Sequence, residues 1–236
     1  MQERNPEAPE QAWPAHAGGA IPLAKGEIHL WRAPLDISSE ALKPLEGLLH
    51  TDERDRAARL MFPQHRARFI AARGILRSIL GIHLGCGPGS VKFAYGEHGK
   101  PAVAEPAGTG VEFNVSHSGD LALYAVALDL PVGVDVELIK PDGSWLEIAG
   151  RYFAPGEHRR LAALPPEEMQ REFFELWAEK EARLKALGVG LHFPMEDAHC
   201  ASCAAIKVTP GAGYAAALAY SQGGSAPVIV KHHYTA

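Results

Sequence analysis

Apolar positions along the chain follow two periods. Where they alternate with polar positions, or run unbroken for about four to eight residues, they predict β-strands, and where they recur every three or four residues they predict helices. Two long helices are predicted, at 64–84 and 167–187. Shorter helices are predicted at 38–50, 52–60, 144–153 and 155–164, and strands at 28–32, 91–95, 111–115, 121–128, 132–137, 204–208, 214–220 and 228–232.

The predicted elements occur in one order twice. A strand is followed by two short helices, a long helix and further strands, first within residues 27–130 and again within residues 131–236. Two copies of so long a unit are too few for a solenoid. The order therefore predicts an α+β fold, a pseudo-dimer of two similar halves with the active site in the cleft between them. Residues 1–26 are rich in proline, alanine and glycine without a period, so we expect a mobile N-terminal extension.

Composition narrows the class of protein. The 236 residues are 47% hydrophobic and 22% charged, an ordinary balance for a globular protein. Three cysteines are too few for a disulfide framework, and no charged and apolar leader opens the chain, so a cytoplasmic location is expected. The longest apolar runs are too short to cross a bilayer, and no membrane span is expected. A net charge of -5 disfavours a general nucleic-acid binder, so any phosphate site has to be local.

Two carboxylates share one predicted strand. In the run 133–137, strand alternation sends Asp135 and Glu137 to one face and the two valines to the other. Like charges at this separation repel, so burial of the pair implies a bound cation, and hard oxygen ligands suggest magnesium rather than zinc. The alternative is an exposed strand with two solvated acids.

Two further segments carry candidate chemistry. On the second long helix Trp177, Glu181 and Lys185 form a ridge on one face, although such a ridge is also typical of a surface ion pair beside a buried tryptophan. The strand end 113–119 offers small hydrogen-bond donors that suit a phosphate. A hydrolase is not indicated there, because adjacent Ser and His residues lack nucleophile-to-base geometry and no Gly-x-Ser-x-Gly elbow is present.

Arginines crowd one stretch of an otherwise acidic chain. Their planar guanidinium groups match phosphate oxygens, but at least half of them are expected to lie on a solvated helix face, paired with nearby acids. A lysine at position 100, in a rigid Gly-Lys-Pro turn, could point into a site or simply be exposed. The arginines of this stretch are Arg54, Arg56, Arg59, Arg66, Arg68, Arg73 and Arg77.

Taken together, four motifs resemble the 4'-phosphopantetheinyl transferase superfamily, and within it the double-length Sfp-type branch. The resemblance covers roughly residues 28–220, and the motifs occur in the family's order and at compatible distances. They are Gly-Lys-Pro at 99–101, Phe-Asn-Val-Ser-His-Ser at 113–118, Gly-Val-Asp-Val-Glu at 133–137, and Trp-x-x-Lys-Glu-x-x-x-Lys-x-x-Gly-x-Gly-Leu at 177–191.

The resemblance implies a set of site residues. The metal carboxylates of the family fall on Asp135, Glu137 and Glu181. Glu179 is left out of this set, because the family varies there. The arginine region aligns with the family only by helix position. The contacts to coenzyme A carry over to Lys100, Pro101, Ser116, His117, Lys180 and Lys185, and the basic residues around its 3'-phosphate to Arg56, Arg68 and, as a third candidate, Arg73.

The resemblance also implies a reaction. The enzyme would transfer the phosphopantetheine arm of coenzyme A to a serine of an apo acyl- or peptidyl-carrier protein, with Mg²⁺, and release 3',5'-ADP. Asp135, Glu181 and Lys185 are the predicted catalytic residues, with Glu181 accepting the serine proton, directly or through a water, and Lys185 offsetting charge on the leaving group. A monomer is expected. Two alternatives stay open: a metal-dependent phosphatase or pyrophosphohydrolase, and a noncatalytic module that binds coenzyme A or a carrier protein.

Overall fold

The computed structural model describes residues 13–96, 98–189 and 202–235. The first half of the chain contains β1 (Glu27–Pro34), α1 (Ser39–Gly47), α2 (Thr51–Ala58), α3 (Pro63–Leu84), a 3-10 turn (Pro88–Ser90), β2 (Lys92–Tyr95), β3 (Pro101–Glu105), β4 (Val111–Ser118) and β5 (Leu121–Leu128). The second half contains β6 (Val132–Leu138), α4 (Trp145–Tyr152), α5 (Pro155–Ala162), α6 (Pro166–Leu187), β7 (Cys203–Val208), β8 (Tyr214–Ser221) and β9 (Val228–His233).

Two sheets and a small hairpin hold these strands. The first sheet has the order β4-β5-β1-β9, and the second has the order β6-β8-β7. Neighbouring strands are antiparallel except β1 and β9, which run parallel. Strands β2 and β3 form a separate two-stranded hairpin. The predicted α+β class is confirmed.

The core follows the order helix, sheet, sheet, helix. One face of the first sheet, including Trp31 and Tyr124, packs on the apolar side of α3. Its other face packs against the second sheet, through residues such as Leu30 and Val134. Small residues of α6, among them Ala182, cover the far side of the second sheet. This stacking leaves β4 and β6 as edge strands that face each other.

Similar residues mark the two ends of both long helices. Each spans 22 residues, begins with a proline in its first turn and ends at a glycine in the left-handed conformation, Gly85 after α3 and Gly188 after α6. Proline fits the first turn because no hydrogen bond is lost there, and glycine adopts positive φ without strain. No helix among the described residues is long and apolar enough to span a bilayer.

Part of the predicted N-terminal extension contacts the fold. Trp13 is buried and donates its indole N–H to the carbonyl of Thr209, and Ala15 forms a bridge with His233. Residues 1–12 lie outside the described ranges. The mobility of residues 1–26 and the division at residue 130 stay predictions, and β9, from the second half of the chain, pairs with β1 of the first.

Candidate active site

The acidic pair lies on β6, and its orientation follows from strand alternation. Val134 and Val136 are buried against the first sheet, so Asp135 and Glu137 point the other way, toward α6. Gly133 lets the helix come close: a Cβ there would lie 2.0 Å from the carbonyl oxygen of Ala182. The glycine therefore sets how near α6 lies to the carboxylates.

Asp135 is almost fully buried. Its Oδ1 accepts hydrogen bonds from Ser116 Oγ at 2.8 Å and from Lys185 Nζ at 2.6 Å. Its Oδ2 is buried and has no hydrogen-bond partner among the described residues. Burial raises the pKa of Asp135, while the Lys185 ammonium opposes that rise. A buried carboxylate oxygen without a donor is rare in folded proteins, so this oxygen is a candidate position for a water or a cation.

Burial and the charge of Asp135 raise the pKa of two more carboxyl groups. Burial raises the pKa of Glu137, and the charge of Asp135 raises it further. Burial, followed by the charges of Asp135 and Glu137, raises the pKa of Glu181 to about 7, although Lys185 opposes the shift. The second long helix and β6 thus bring the three predicted acids into one electrostatic group. Within the described ranges, no three histidine, cysteine or acidic side chains already stand at the spacing of a formed metal site.

Side chains of β4 connect this group to the first sheet. Asn114 Oδ1 accepts the backbone N–H of Val134 at 2.9 Å. Ser118 Oγ donates to Glu137 Oε2 at 3.0 Å and accepts the N–H of Leu138 at 3.1 Å. The sequence motif marked this strand end, but the contacts of Asn114 and Ser118 with β6 could not be predicted from it.

One cavity has Glu181 in its wall, and a second cavity adjoins the first. The first, of about 290 Å³, is lined by Glu181, Lys185, Lys100, Pro101 and Asn114 among others. The second, of about 440 Å³, is lined by side chains of α2 and α3. Both share Gly99, Pro101 and Val115 as lining residues, so they are neighbours along one groove. The second cavity contains Arg56, Arg59, Arg73 and Tyr95 in its wall.

The predicted lysines occupy different places. Lys185 lies within the acidic group, where it also donates to Ser116 Oγ at 3.1 Å. Lys100 lines the first cavity but donates to two backbone carbonyls, Val132 O at 3.2 Å and Ala186 O at 3.4 Å. Burial lowers its pKa. Lys180 forms an ion pair with Glu157 at 3.0 Å, on another side of α6.

Some of the predicted basic residues lie near His117. Desolvation lowers the pKa of His117, and the positive charges of Lys185, Arg56 and Arg68 lower it further. Arg68 forms a two-pronged ion pair with Asp36, with both N–O distances 2.6 Å. Arg56 lies over the ring of Phe69 instead. A positive region therefore exists beside His117 at the end of β4.

Two other arginines serve the fold around a buried acid. Glu53 accepts hydrogen bonds from Arg73 at 2.5 Å and from Arg77 at 2.8 Å, and it also accepts the N–H of His50 at the start of α2. Arg77 is fully buried, which the helical pattern did not reveal. Arg66 donates to carbonyls at the end of α2. Arg73 and Arg77 thus pair with an acid of α2, but Arg77 does so in the interior and not on a solvated face.

Comparison with known proteins decides the family. A model of the 4'-phosphopantetheinyl transferase superfamily matches residues 131–225, and a model of the N-terminal part of a 4'-phosphopantetheinyl transferase matches residues 36–128. The chain is 47% identical over 172 residues to the 4'-phosphopantetheinyl transferase HetI of Nostoc sp., an alignment that covers 72% of this chain and 73% of the relative. The chain belongs to the 4'-phosphopantetheinyl transferase superfamily.

More distant members of the superfamily agree. A 4'-phosphopantetheinyl transferase of Bacillus subtilis is 32% identical over 145 residues, covering 61% of this chain and 62% of that protein. The 4'-phosphopantetheinyl transferase Sfp of Bacillus subtilis strain 168 is 29% identical over 160 residues, covering 68% and 69%. The family and enzyme class predicted from the four motifs are confirmed. The superfamily model spans β6 and α6, the two elements that carry the acidic group.

The donor set fits a hard divalent cation. Asp135, Glu137 and Glu181 supply only carboxylate oxygens, the ligands that Mg²⁺ prefers. Oδ2 of Asp135 lacks a partner among the described residues, and burial together with the charges of Asp135 and Glu137 raises the pKa of Glu181. A divalent cation at this place would relieve both.

Proposed function

We propose that the protein transfers the phosphopantetheine arm of coenzyme A to a serine of an apo acyl- or peptidyl-carrier protein and releases 3',5'-ADP. The observation that carries the proposal is the meeting of Asp135, Glu137 and Glu181 in a chain of this superfamily. One strand and one distant helix contribute them, beside a groove whose wall also holds lysine and arginine.

The architecture supports the proposed pseudo-dimer. Each half has a strand, two short helices and a 22-residue helix followed by further strands. The first strand pairs antiparallel with β5 in the first half and with β8 in the second. The first cavity of the groove lies between the 98–101 turn and β4 of the first half and α6 of the second. We therefore propose that the active site lies in the cleft between the halves.

Magnesium is the proposed metal, held by Asp135, Glu137 and Glu181. Bound there, it would offset the negative charge of a diphosphate and favour attack of a nucleophile at phosphorus. Lys185, which donates to Asp135 at 2.6 Å, brings a positive charge to the same group. We propose that it offsets charge on the departing 3',5'-ADP.

The residues proposed to bind coenzyme A fall into two groups. Lys100, Pro101, Ser116 and Lys185 lie in or beside the first cavity, close to the acids. Around its 3'-phosphate we propose His117 together with Arg56, Arg68 and Arg73. Arg68 and Arg73 are paired with carboxylates, so each would have to leave its carboxylate or bind it and the phosphate at once. Lys180 has the weakest support, because it contacts Glu157.

Glu181 is the proposed general base. With the proposed Mg²⁺ bound, its positive charge would keep Glu181 ionised, so that the carboxylate can accept a proton at neutral pH. The serine oxygen of the carrier forms a bond to the β-phosphorus of coenzyme A, the bond from that phosphorus to the oxygen of 3',5'-ADP breaks, and the serine proton goes to Glu181, directly or through a water.

The carrier protein is the proposed partner. One chain supplies all the proposed site residues, so we propose a monomer. We also propose a cytoplasmic location. The two rival functions are separable by their products. A pyrophosphohydrolase would release free phosphopantetheine and leave the carrier unchanged, and a binding module would leave both reactants intact.

The experiment is intact-mass spectrometry of an apo-carrier protein incubated with the enzyme, coenzyme A and Mg²⁺. The wild-type protein should add one phosphopantetheine mass to the carrier. Glu181→Gln should lower the rate by about 10² to 10⁴-fold, because it removes the proton acceptor, and Asp135→Asn should abolish transfer.

Glu179→Gln is the matched control. Glu179 lies on the same helix but pairs with the half-buried Arg183, away from the three acids, so this variant should react at the wild-type rate. Circular dichroism should show all three variants folded. Wild-type transfer by Glu181→Gln would overturn the role of that residue, and free phosphopantetheine without carrier modification would overturn the function.

A further inference from the structure

The strands β4 and β6 face each other without forming a ladder. Each is the edge of its own sheet, β4 pairing with β5 and β6 pairing with β8. Contacts at 114 to 134, 116 to 135 and 118 to 137 show that the two strands run in the same direction. Alternate side chains of β4 therefore replace the backbone hydrogen bonds that would otherwise join the two edges.

Ser118 makes the last of these contacts, and it makes two bonds at once. Its hydroxyl accepts the N–H of Leu138 at 3.1 Å and donates to Glu137 Oε2 at 3.0 Å. A serine hydroxyl has one proton, so the bond to Leu138 leaves that proton for the carboxylate. The backbone of β6 thereby fixes the direction in which Ser118 donates.

The result is a defined orientation of Glu137. Oε2 is held by Ser118, and Oε1 has no hydrogen bond among the described residues. Asp135, two residues earlier on β6, shows the same arrangement: its Oδ1 is held by Ser116, and its Oδ2 has no partner among the described residues. Each carboxylate of β6 is thus bound through one oxygen to a serine of β4 and has its other oxygen available.

We propose that Ser118 is a positioning residue that orients the Glu137 carboxylate for the divalent cation. The inference rests on the proposed function, because it assumes that Glu137 is a metal ligand. Hydrogen bonds to ligating carboxylates fix their direction, and their removal typically lowers metal affinity about 10 to 100-fold. Ser118 does not touch the reacting atoms in this arrangement.

The competing role is purely structural. Ser118 could serve only to satisfy the N–H of Leu138 and so to hold the two sheets together. Loss of that bond would lower the free energy of unfolding but would leave the affinity for a cation unchanged. Cation binding and unfolding therefore have to be measured on the same variants.

The test is a titration of the full chain with Mn²⁺, followed by electron paramagnetic resonance, with and without coenzyme A. Mn²⁺ is chosen because it takes the same oxygen ligands as Mg²⁺. Ser118→Ala should raise the Kd for Mn²⁺ about 10 to 100-fold. Ser118→Thr keeps the hydroxyl and should bind almost as wild type, and Ser78→Ala, which removes a hydroxyl within α3, should not change the Kd.

A double-mutant cycle tests whether Ser118 affects cation binding through Glu137. In a Glu137→Gln background, Ser118→Ala should add little to the loss of Mn²⁺ affinity, because the group that it orients is already altered. Additive losses would overturn the proposal. If Ser118→Ala does not fold, Ser118→Cys, of similar size but a weak donor, takes its place.

The outcomes separate this inference from the proposed function. A Ser118→Ala variant that unfolds more easily but binds Mn²⁺ as tightly as wild type would leave the transferase intact and refute the positioning role. A wild-type chain that binds no Mn²⁺ in either condition would refute the positioning role and the proposed metal site together. Transfer to the carrier protein, measured separately by mass, tests the function itself.

Discussion

The raised pKa of Glu181 reflects its burial and the concentration of acidic groups at the site. Its relative exposure is 8%, and it lies near two other acids, so its carboxyl is held partly protonated at neutral pH. The neighbouring Lys185 offsets only part of this repulsion, because its shortest contact is with Asp135. The site without a cation is therefore under electrostatic strain that the fold has to tolerate.

A pH dependence of stability follows from Glu181. Its pKa is about 7 in the folded chain and 4.5 as an unperturbed group, so the folded state keeps a proton that the unfolded state releases between these values. Stability is therefore lost as the pH rises from 4.5 through 7. We expect Glu181→Gln to be more stable than wild type at pH 8 in a chelator, by about 2 kcal/mol, with no advantage below pH 4.5.

Urea unfolding at pH 4.5 and pH 8, with EDTA present, measures this difference. Added Mg²⁺ should reduce it at pH 8, since a cation would stabilise only the wild-type acid. Equal stabilities of the two proteins at pH 8 in EDTA would show that Glu181 is not strained by its neighbours. Glu179→Gln again serves as the control, because the Glu179 carboxylate is paired with Arg183, away from the three acids.

At the residue level, sequence reasoning succeeded where strand or helix periodicity fixes direction. Asp135 and Glu137 share a face because strand residues alternate, and Gly133 precedes them where the helix comes close. It expected arginines to pair with nearby acids but not that the Arg77–Glu53 pair is buried, because that burial depends on how α2 packs on α3. The orientation of Lys180, which follows from the position of α5, was inaccessible for the same reason.

At the level of elements, the contact between β6 and α6 decides where the acids meet. The residues of α6 that cover the second sheet are small, and Gly133 gives room for the helix backbone itself. Any bulk at this contact moves the helix that carries Glu181 and Lys185 relative to the strand that carries Asp135.

Gly133→Ala tests this contact. The added methyl group would lie 2.0 Å from Ala182 O and 2.4 Å from Ala186 N, which are backbone atoms that cannot rotate away. We expect a loss of about 1 to 3 kcal/mol in the free energy of unfolding and a larger loss of transfer activity than that folding defect explains. Chemical denaturation and the carrier-protein assay, carried out on folded protein, measure the two effects.

Gly156→Ala is the matched control. Gly156 lies in helix α5, and a Cβ there would meet no atom within 4 Å. Alanine in a helix is favoured over glycine by about 1 kcal/mol, so this variant should be at least as stable as wild type. If both glycine variants behaved alike, the close approach of α6 to β6 would have no energetic importance.

Most helices and strands were predictable from their periodicity, with the long helices predicted best. The two long helices were predicted within about one residue of their observed ends, because proline and glycine mark their limits. Strand β3 was not predicted, since five residues that begin with proline give little pattern. Strand β9 was predicted as a strand, but its parallel pairing with β1 depends on tertiary structure.

At the scale of the whole molecule, the two halves share a core. The cluster between the sheets contains Ile28 and Leu30 of β1 together with Val134 of β6 and Leu218 of β8. Strand β9 adds Ile229 to the same cluster. Since apolar burial is the main stabilising contribution, we expect the halves to unfold as one cooperative unit.

Two neighbouring substitutions on β9 test this cooperativity. Ile229→Asp places a charge in the cluster between the sheets and should lower the free energy of unfolding by about 3 kcal/mol. Val228→Asp adds the same charge at a side chain that is 62% exposed and should change stability by about 0.5 kcal/mol or less. Hydrogen exchange measured by mass spectrometry should show β1 and β6 losing protection together in Ile229→Asp. Loss of protection in the first sheet alone would mean that the halves unfold independently.

The pairing of β1 with β9 also constrains how the protein is made. About two hundred residues separate the partners, so on the ribosome the N-terminal strand emerges long before the strand that covers its edge. Until translation reaches residue 228, the nascent chain exposes an unpaired strand edge of the kind that promotes aggregation. The newborn polypeptide should accordingly depend on chaperones more than a protein whose sheets are completed in sequence order.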